Sequence, residues 1–247
     1  MLINSKFSKI FCFVLLVGGD CFASASPLKY SEEAEQALVK FSGGHAWRFQ
    51  GQSLSQQLLQ SSREGNVKAL AQVLATRRIN PDFTSDKKEF ALEEAIEGMR
   101  RYKKGQQVEC IKLLLLCGAN PNRESKRWPG RTLIFRAVQL SDSALVKALL
   151  DGGADATKLD CDKKSVLYWT QWAANESDRH VRSFLEQYFL SLIWRAVKVE
   201  NNRAFARLMC IFCESRELSQ LEKKCFFGVP DEQGLTLLDY ADQLMQG

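Results

Sequence analysis

The sequence predicts an all-α fold, an array of stacked helix–turn–helix units behind an N-terminal capping helix. Two leucine-rich segments, at residues 108–117 and 145–150, each continue into a glycine turn, GAN at 118–120 and GAD at 153–155. The apolar residues of the predicted helices recur at three- and four-residue intervals, as in a helix with one buried face. No stretch has the clear two-residue alternation of a β-strand. One helical unit used several times accounts for both segments.

Residues 1–25 have the three parts of a secretory signal peptide. Lys6 and Lys9 form a basic start, residues 10–17 are a short apolar run, and the small-residue triplet at 23–25 is a cleavage site. The run is too short to span a bilayer comfortably. We therefore expect export, to the periplasm or as a secreted protein, and no stable membrane span after cleavage. The alternative is an uncleaved anchor.

Composition places the chain among globular proteins. Of the 247 residues, 45% are hydrophobic and 26% are charged, which is the balance of a folded domain rather than of a disordered segment. The net charge of +5 is mild. It does not indicate a nucleic-acid partner, because proteins that bind nucleic acid usually concentrate basic residues on one face. We expect no nucleic acid among the partners.

Residues 26–53 are expected to form a capping helix and a linker. Ser31 is a favourable residue for capping a helix start, glutamates follow it, and the glycines at 43–44 end the helix. The linker carries Trp47 and Phe49, which we expect to pack on the repeat that follows. Terminal units of a stacked array are atypical in this way.

Residues 54–247 are predicted to form the repeat domain, with about five and a half units. Each unit is a pair of helices about a polar turn. The predicted pairs are 54–59 with 67–74, 90–96 with 108–117, 130–138 with 145–150, 165–170 with 181–189, and 192–197 with 205–212, followed by a half unit at 234–241. The second pair has an enlarged turn at 98–105.

These units resemble the ankyrin repeat, whose pattern carries T-P-L-H-x-A, a turn, a leucine-rich helix and G-A-D. TLIFRA at 132–137 fills the first half with the proline and the histidine replaced, and LLL at 113–115 with GAN at 118–120 fills the second. The resemblance covers about residues 54–242. It is weaker between the fourth and fifth units, where the G-A-D turn is absent, and a long polar insert at 214–233 follows the fifth.

The resemblance implies a solenoid that binds another protein through its concave face and its connecting loops, called fingers. The residue before the first-helix alanine faces the concave side in such stacks, and Trp and Arg are typical of binding hot spots. Positions at this phase and two positions in one finger are the candidate binding residues: Glu94, Arg136, Trp169, Arg195 and Tyr240, with Arg127 and Trp128 from the finger. The alternative is that the tryptophans only pack on neighbouring units.

The implied function is protein–protein recognition without catalysis. We expect a monomer with a protein partner and no cofactor, acting as a secreted effector or as a periplasmic scaffold. The basic residues of the finger, Lys126, Arg127 and Arg131, are either solvated or a contact for an acidic partner or an anionic membrane surface.

The cysteines are the basis of an alternative function, thiol-redox chemistry or metal handling. Cys110 and Cys117 lie on one predicted helix, and a rise of 1.5 Å per residue separates their Cα atoms by about 10.5 Å. That distance is too long for a disulfide, so we expect two small buried side chains.

Three interpretations fit Cys210, Cys213 and Cys225. They are buried structural side chains, or Cys210 or Cys213 forms a disulfide with Cys225 that closes the polar insert, or the three serve a thiol-redox or metal-handling protein. The C-x-x-C pair ends a predicted helix, whereas redox pairs begin one. His45 and His180 have no partner at metal-ligand spacing. We therefore expect neither an enzyme nor a metal site.

Overall fold

The computed structural model describes residues 30–43, 51–101, 104–171, 175–199, 201–214, 234–237 and 239–240. Within these ranges the chain forms nine α-helices, one short 3-10 helix and two isolated β-bridges, with no β-strand. The all-α prediction is therefore confirmed for this part of the chain. The predicted signal peptide and the linker with Trp47 and Phe49 lie outside the described residues. The chain divides into two compact units, an N-terminal unit, Met1–Ala119, and a C-terminal unit, Asn120–Gly247.

The helices described in the N-terminal unit are α1 Glu32–Ser42, α2 Leu54–Glu64, α3 Val67–Ala75, α4 Ala91–Gly98 and α5 Lys104–Leu116. Helix α1 begins where predicted, because the Ser31 side chain accepts a hydrogen bond from the Ala34 N–H at 3.3 Å. It packs on α3 and α5, with Ala34 and Leu38 buried. An ion pair between Glu35 and Arg77 also ties this helix to the unit.

Helices α2 and α3 form the first predicted helical hairpin. Gly65 ends α2 with a φ of +72°, and the Asn66 side chain caps α3 by accepting from the Ala69 N–H at 3.1 Å. Leu58 of α2 and Leu70 of α3 are fully buried. The predicted Gly-Asn turn therefore reverses the chain and brings the two apolar stripes into one core.

Helices α4 and α5 form the second hairpin, whose turn is shorter than predicted. Helix α5 begins at Lys104, inside the predicted turn at 98–105. Gln107 is fully buried and donates from Nε2 to the Arg63 carbonyl at 2.8 Å, a polar anchor that an apolar pattern cannot reveal. Gly98 lets α4 approach α2, since a Cβ at this position would lie 2.2 Å from the same carbonyl oxygen.

The elements described in the C-terminal unit are α6 Leu133–Gln139, α7 Ser143–Asp151, the 3-10 helix Tyr168–Thr170, α8 Glu176–Lys198 and α9 Asn202–Glu214. Helices α6 and α7 form the hairpin predicted for the third repeat. Asp142 caps α7 by accepting from the Leu145 N–H at 3.0 Å. Phe135 of α6 and Leu149 of α7 are buried in the core of this unit.

The predictions for the fourth and fifth repeats are wrong in two details. The helix predicted at 165–170 is only a three-residue 3-10 helix, and the helices predicted at 181–189 and 192–197 are parts of the 23-residue helix α8. Buried apolar side chains recur every four residues along α8, at Val181, Leu185, Phe189, Ile193 and Val197. Since neither glycine nor proline interrupts this stripe, the helix continues through the predicted break.

The same turn follows α5 and α7. Gly118 and Gly153 have φ values of +92° and +88°, and two N–H groups in each turn donate back to carbonyls of the preceding helix. The polar residue two positions after each glycine, Asn120 or Asp155, accepts a backbone hydrogen bond of 2.9 Å through its side chain. The GAN and GAD segments therefore share one local geometry.

Asn122 binds the turn that follows α7, within the C-terminal unit. Its Nδ2 donates to the Gly153 carbonyl at 2.9 Å, and its Oδ1 accepts from the Asp155 N–H at 2.7 Å. One side chain thus satisfies a donor and an acceptor of the next turn along the chain. This contact ties Asn122 to the turn at 153–155.

We predict that Gly153→Val destabilises the C-terminal unit by roughly 1–2 kcal/mol, because a β-branched residue resists a positive φ. Gly43→Val is the matched control. A Cβ would meet no atom within 4 Å at either position, but Gly43 has a φ of −66°. Denaturant unfolding followed by circular dichroism measures both changes. Equal losses of stability in the two variants would contradict the turn assignment.

Candidate functional site

The finger at residues 124–132 is held by backbone hydrogen bonds at its base. Glu124 and Thr132 form an isolated antiparallel bridge, and the Ser125 N–H donates to the Arg131 carbonyl at 2.8 Å. The Ser125 side chain accepts from the Trp128 N–H at 3.2 Å. These bonds fix the backbone of Trp128 and Arg131, whose side chains belong to the candidate site.

The carboxylate of Asp160 lies at the centre of the site. Its side chain has no exposed surface. Oδ1 accepts from the backbone N–H groups of Asp162 and Lys164 at 2.9 Å and 2.8 Å. Oδ2 accepts from the indole Nε1 of Trp169 at 3.0 Å and forms an ion pair with Nε of Arg131 at 3.3 Å. One buried carboxylate therefore holds its own loop with one oxygen and the side chains of Trp169 and Arg131 with the other.

Two tryptophans and two arginines alternate in a series of cation–π contacts that begins at this carboxylate. The guanidinium carbon of Arg131 lies 4.2 Å from the ring centroid of Trp169 and 5.8 Å from that of Trp128. The guanidinium carbon of Arg136 lies 5.1 Å from the centroid of Trp128. We call these four residues the Trp–Arg cluster. Because the Arg131 side chain is only 15% exposed, its contacts with the rings are largely desolvated, where such contacts stabilise by about 2 kcal/mol.

A cleft of about 320 Å³ adjoins Trp169, on the side of α6 and α8. Its wall contains Val138, Gln139, Ser141, Thr170, Asn175, Asp178 and Val181. Gln139 accepts a hydrogen bond from Nη1 of Arg136 at 3.3 Å, so the cleft and the Trp–Arg cluster share a border. The surface next to the cluster is therefore concave and largely polar.

The structure brings three of the predicted binding residues together, namely Trp128, Arg136 and Trp169, and all three are half-buried. Arg127 is exposed in the same finger, and Arg195 is exposed on α8. Tyr240 contacts a different tryptophan. Its ring lies edge-on to that of Trp194, with the two ring centroids 6.1 Å apart. The predicted set therefore separates into one cluster and several scattered positions.

Glu94 requires a correction. It was expected on an exposed face, but it is 1% exposed, and its Oε2 accepts from Nε of Arg63 at 2.6 Å. Burial of a carboxylate is tolerated because a partner compensates for the lost hydration. Glu94 therefore holds Arg63 within the N-terminal unit from a buried position.

Sequence reasoning missed the role of Asp160 and placed Arg131 only in a basic loop. The sequence does contain a signal for Asp160, because equivalent positions of two earlier loops also have a polar side chain. Ser85 and Ser125 each accept a backbone N–H of their own loop, and Asp160 does the same in the loop after α7. A carboxylate therefore stands where the preceding fingers have a hydroxyl, and this difference adds a charge at the centre of the site.

The described cysteines do not form disulfides with one another. Cys110 and Cys117 are free and buried, as predicted, and burial raises the pKa of each thiol to about 12. Cys161 and Cys210 are free and exposed. The side chain of Cys213 and the whole of Cys225 lie outside the described residues, so the predicted redox or metal-handling group is outside them as well. Among the residues with described positions, no group of three or more potential metal ligands is found.

No protein-family model matches the chain, and no curated protein matches it in sequence. Across the described ranges, none of the helices has both the length and the apolar character needed to cross a membrane.

We predict that Asp160→Asn destabilises the C-terminal unit by roughly 3 kcal/mol, because an amide cannot replace a carboxylate whose four neighbours are all donors or cations. Asp162→Asn is the matched control in the same loop, since its side chain is 66% exposed and lies 3.5 Å from Arg131. Its effect should stay within about 0.5 kcal/mol. Urea unfolding measures both. If Asp160→Asn and Asp162→Asn unfold at the same urea concentration, the Asp160 carboxylate has no organising role.

Proposed function

We propose that the protein is an exported, ankyrin-like repeat protein that binds another protein through the Trp–Arg cluster and the finger beside it. The observation that carries this proposal is the alternating series of cation–π contacts through Trp169, Arg131, Trp128 and Arg136. Trp and Arg are the residue types most enriched among the side chains that dominate binding energy at protein interfaces. The exposed Arg127 extends the surface along the finger.

The side chains of the Trp–Arg cluster are restricted before a partner binds, and this favours binding. Association costs free energy whenever flexible side chains become fixed at an interface. Here Asp160 and the stacking contacts already restrict the long side chains of Arg131 and Arg136. A partner would therefore meet a surface that loses little side-chain entropy on binding.

The recurring turns support the repeat assignment. Helical hairpins are followed by turns with a left-handed glycine at Gly118 and Gly153, and Asn122 binds the second of these turns. Helical hairpins of this kind bury only one side by themselves and gain a continuous core by stacking. A stack of about five and a half units with a capping helix remains the proposed architecture.

Export and oligomeric state are parts of the same proposal. The signal-peptide pattern of residues 1–25 supports export of the mature protein to the periplasm or out of the cell. We propose that it acts there, or in a host cell, as a monomeric scaffold or effector without a catalytic step.

We predict that the double variant Arg136→Ala with Trp169→Ala weakens partner capture by at least about a hundredfold, since two hot-spot truncations cost about 2 kcal/mol each. The measurement is affinity capture with the mature chain as bait, followed by quantification of the captured protein. A matched control is Lys147→Ala with Arg179→Ala, two exposed cations on α7 and α8. Far-UV circular dichroism verifies that each variant stays helical. Equal capture by the cluster variant and the control would contradict this binding surface.

A further inference from the structure

We propose that the polar cleft beside Trp169 binds a neutral sugar, either as a free molecule or as one unit of a larger glycan. Its volume of about 320 Å³ lies at the small end of the range for small-molecule sites, roughly 300–1,000 Å³. The described wall belongs entirely to the C-terminal unit. This inference goes beyond the proposed function, because it adds a small-molecule ligand at a site next to the protein-binding surface.

Two amide side chains in the wall supply hydrogen-bond donors. Oε1 of Gln139 accepts from Nη1 of Arg136 at 3.3 Å, and Oδ1 of Asn175 accepts from the Asp178 N–H at 2.8 Å. Among the described residues, neither side-chain NH2 group has a hydrogen-bond partner. Each NH2 group has two N–H donors. The protein therefore uses the oxygens of these amides and leaves their donors for a ligand.

Two hydroxyl groups in the wall supply acceptors. Ser141 Oγ donates to Oδ1 of Asp178, and Thr170 Oγ1 donates to the Leu167 carbonyl at 2.7 Å. A hydroxyl that has donated its hydrogen keeps lone pairs that accept. A sugar hydroxyl both donates and accepts, so it matches an amide N–H and a hydroxyl oxygen together. A ligand with acceptors alone, or with donors alone, would leave part of this set without a partner, which lowers affinity.

The charge of the wall favours a neutral ligand. Asp178 is the one ionisable side chain in the described part of the wall. Its Oδ1 accepts from Ser141, and its Oδ2 accepts from the Asn175 N–H at 3.3 Å. It also lies in the first turn of α8, where the helix dipole stabilises a negative charge. This carboxylate repels an anion, and its existing donors compensate for the charge that a cation would need.

The rest of the wall is apolar and held in place. A sugar ring has C–H groups between its hydroxyls, and Val138, Val181 and the Trp169 indole offer apolar area to them. The indole is fixed by its hydrogen bond to Asp160 at 3.0 Å, and Asn175 is fixed as the capping residue of α8. A site whose side chains are ordered beforehand loses less entropy when a ligand binds.

The test is a titration of the mature chain with glucose, galactose and mannose, followed by the indole signals of nitrogen-15-labelled tryptophan. At least one hexose should bind with a dissociation constant of about 1 mM or below and shift the Trp169 signal. The uronate of that hexose should bind at least about fivefold more weakly, because Asp178 repels its carboxylate. No shift of the Trp169 signal at concentrations well above 1 mM, or equal binding of the uronate, would overturn the inference.

The methyl glycoside of the same hexose separates the two sources of the ligand. A sugar that is part of a glycan is linked through this position. If the glycoside binds as well as the free hexose, the cleft accepts a sugar at the end of a glycan. If only the free hexose binds, the ligand is a free sugar. Both results support the sugar site.

Variants locate the contact. Gln139→Met and Asn175→Ser should each weaken binding by roughly fivefold, the effect of one hydrogen bond. Gln187→Met is the matched control, an exposed amide on α8 outside the described wall, and should leave the affinity unchanged. If Gln139→Met does not fold, Asn175→Ser decides alone, since serine keeps an acceptor that caps α8. Affinity equal to that of the control in every folded cleft variant would contradict the proposed contacts.

Two comparisons separate this inference from the proposed function. A chain that captures a protein partner and binds none of the sugars keeps its protein-binding function and loses the sugar site. A chain that binds a hexose and captures no protein keeps the sugar site alone. If a neutral peptide of glycine, serine and asparagine shifts the Trp169 signal at lower concentration than any hexose, the cleft receives a polypeptide and the inference is wrong.

Discussion

The buried carboxylate of Asp160 is the interaction on which the candidate surface depends. An uncompensated charge in a protein interior costs several kcal/mol, so this group is tolerated only with donors around it. Two backbone N–H groups bind one oxygen, while Trp169 and Arg131 bind the other. The order of the loop and the order of the binding side chains are therefore coupled through one residue. A change in either part leaves donors without their acceptor.

The helices that the sequence predicts well are those with local signals. The hairpins of α2 with α3 and of α6 with α7 form because apolar spacing, a polar turn and a capping side chain all agree. The start of α5 and the continuity of α8 were missed, since Gln107 is anchored by a distant carbonyl and the stripe of α8 has no local stop. Long-range contacts decided these boundaries.

The candidate site was predictable only in part, for the same reason. Arg136 and Trp169 are predicted from their position within the predicted repeats, and Trp128 is predicted from its place in the finger. Phase alone also selected Glu94, which is buried beside Arg63. Asp160 and Arg131 are distant in sequence, and their ion pair follows from how two loops pack. A repeating helical scaffold keeps its core while its loops vary, so the fold alone does not name a partner.

The exchange rate of the Trp169 indole proton tests the central role of Asp160 most directly. Nitrogen-15 labelling of tryptophan gives one indole signal per residue, and the signal absent from Trp169→Phe identifies the proton of interest. A hydrogen bond to a buried carboxylate is worth about 1.5–3 kcal/mol, so exchange should be slower than in free indole by roughly tenfold to a hundredfold. Exchange at the rate of free indole would mean that Asp160 does not hold Trp169, and the account of this surface would fail.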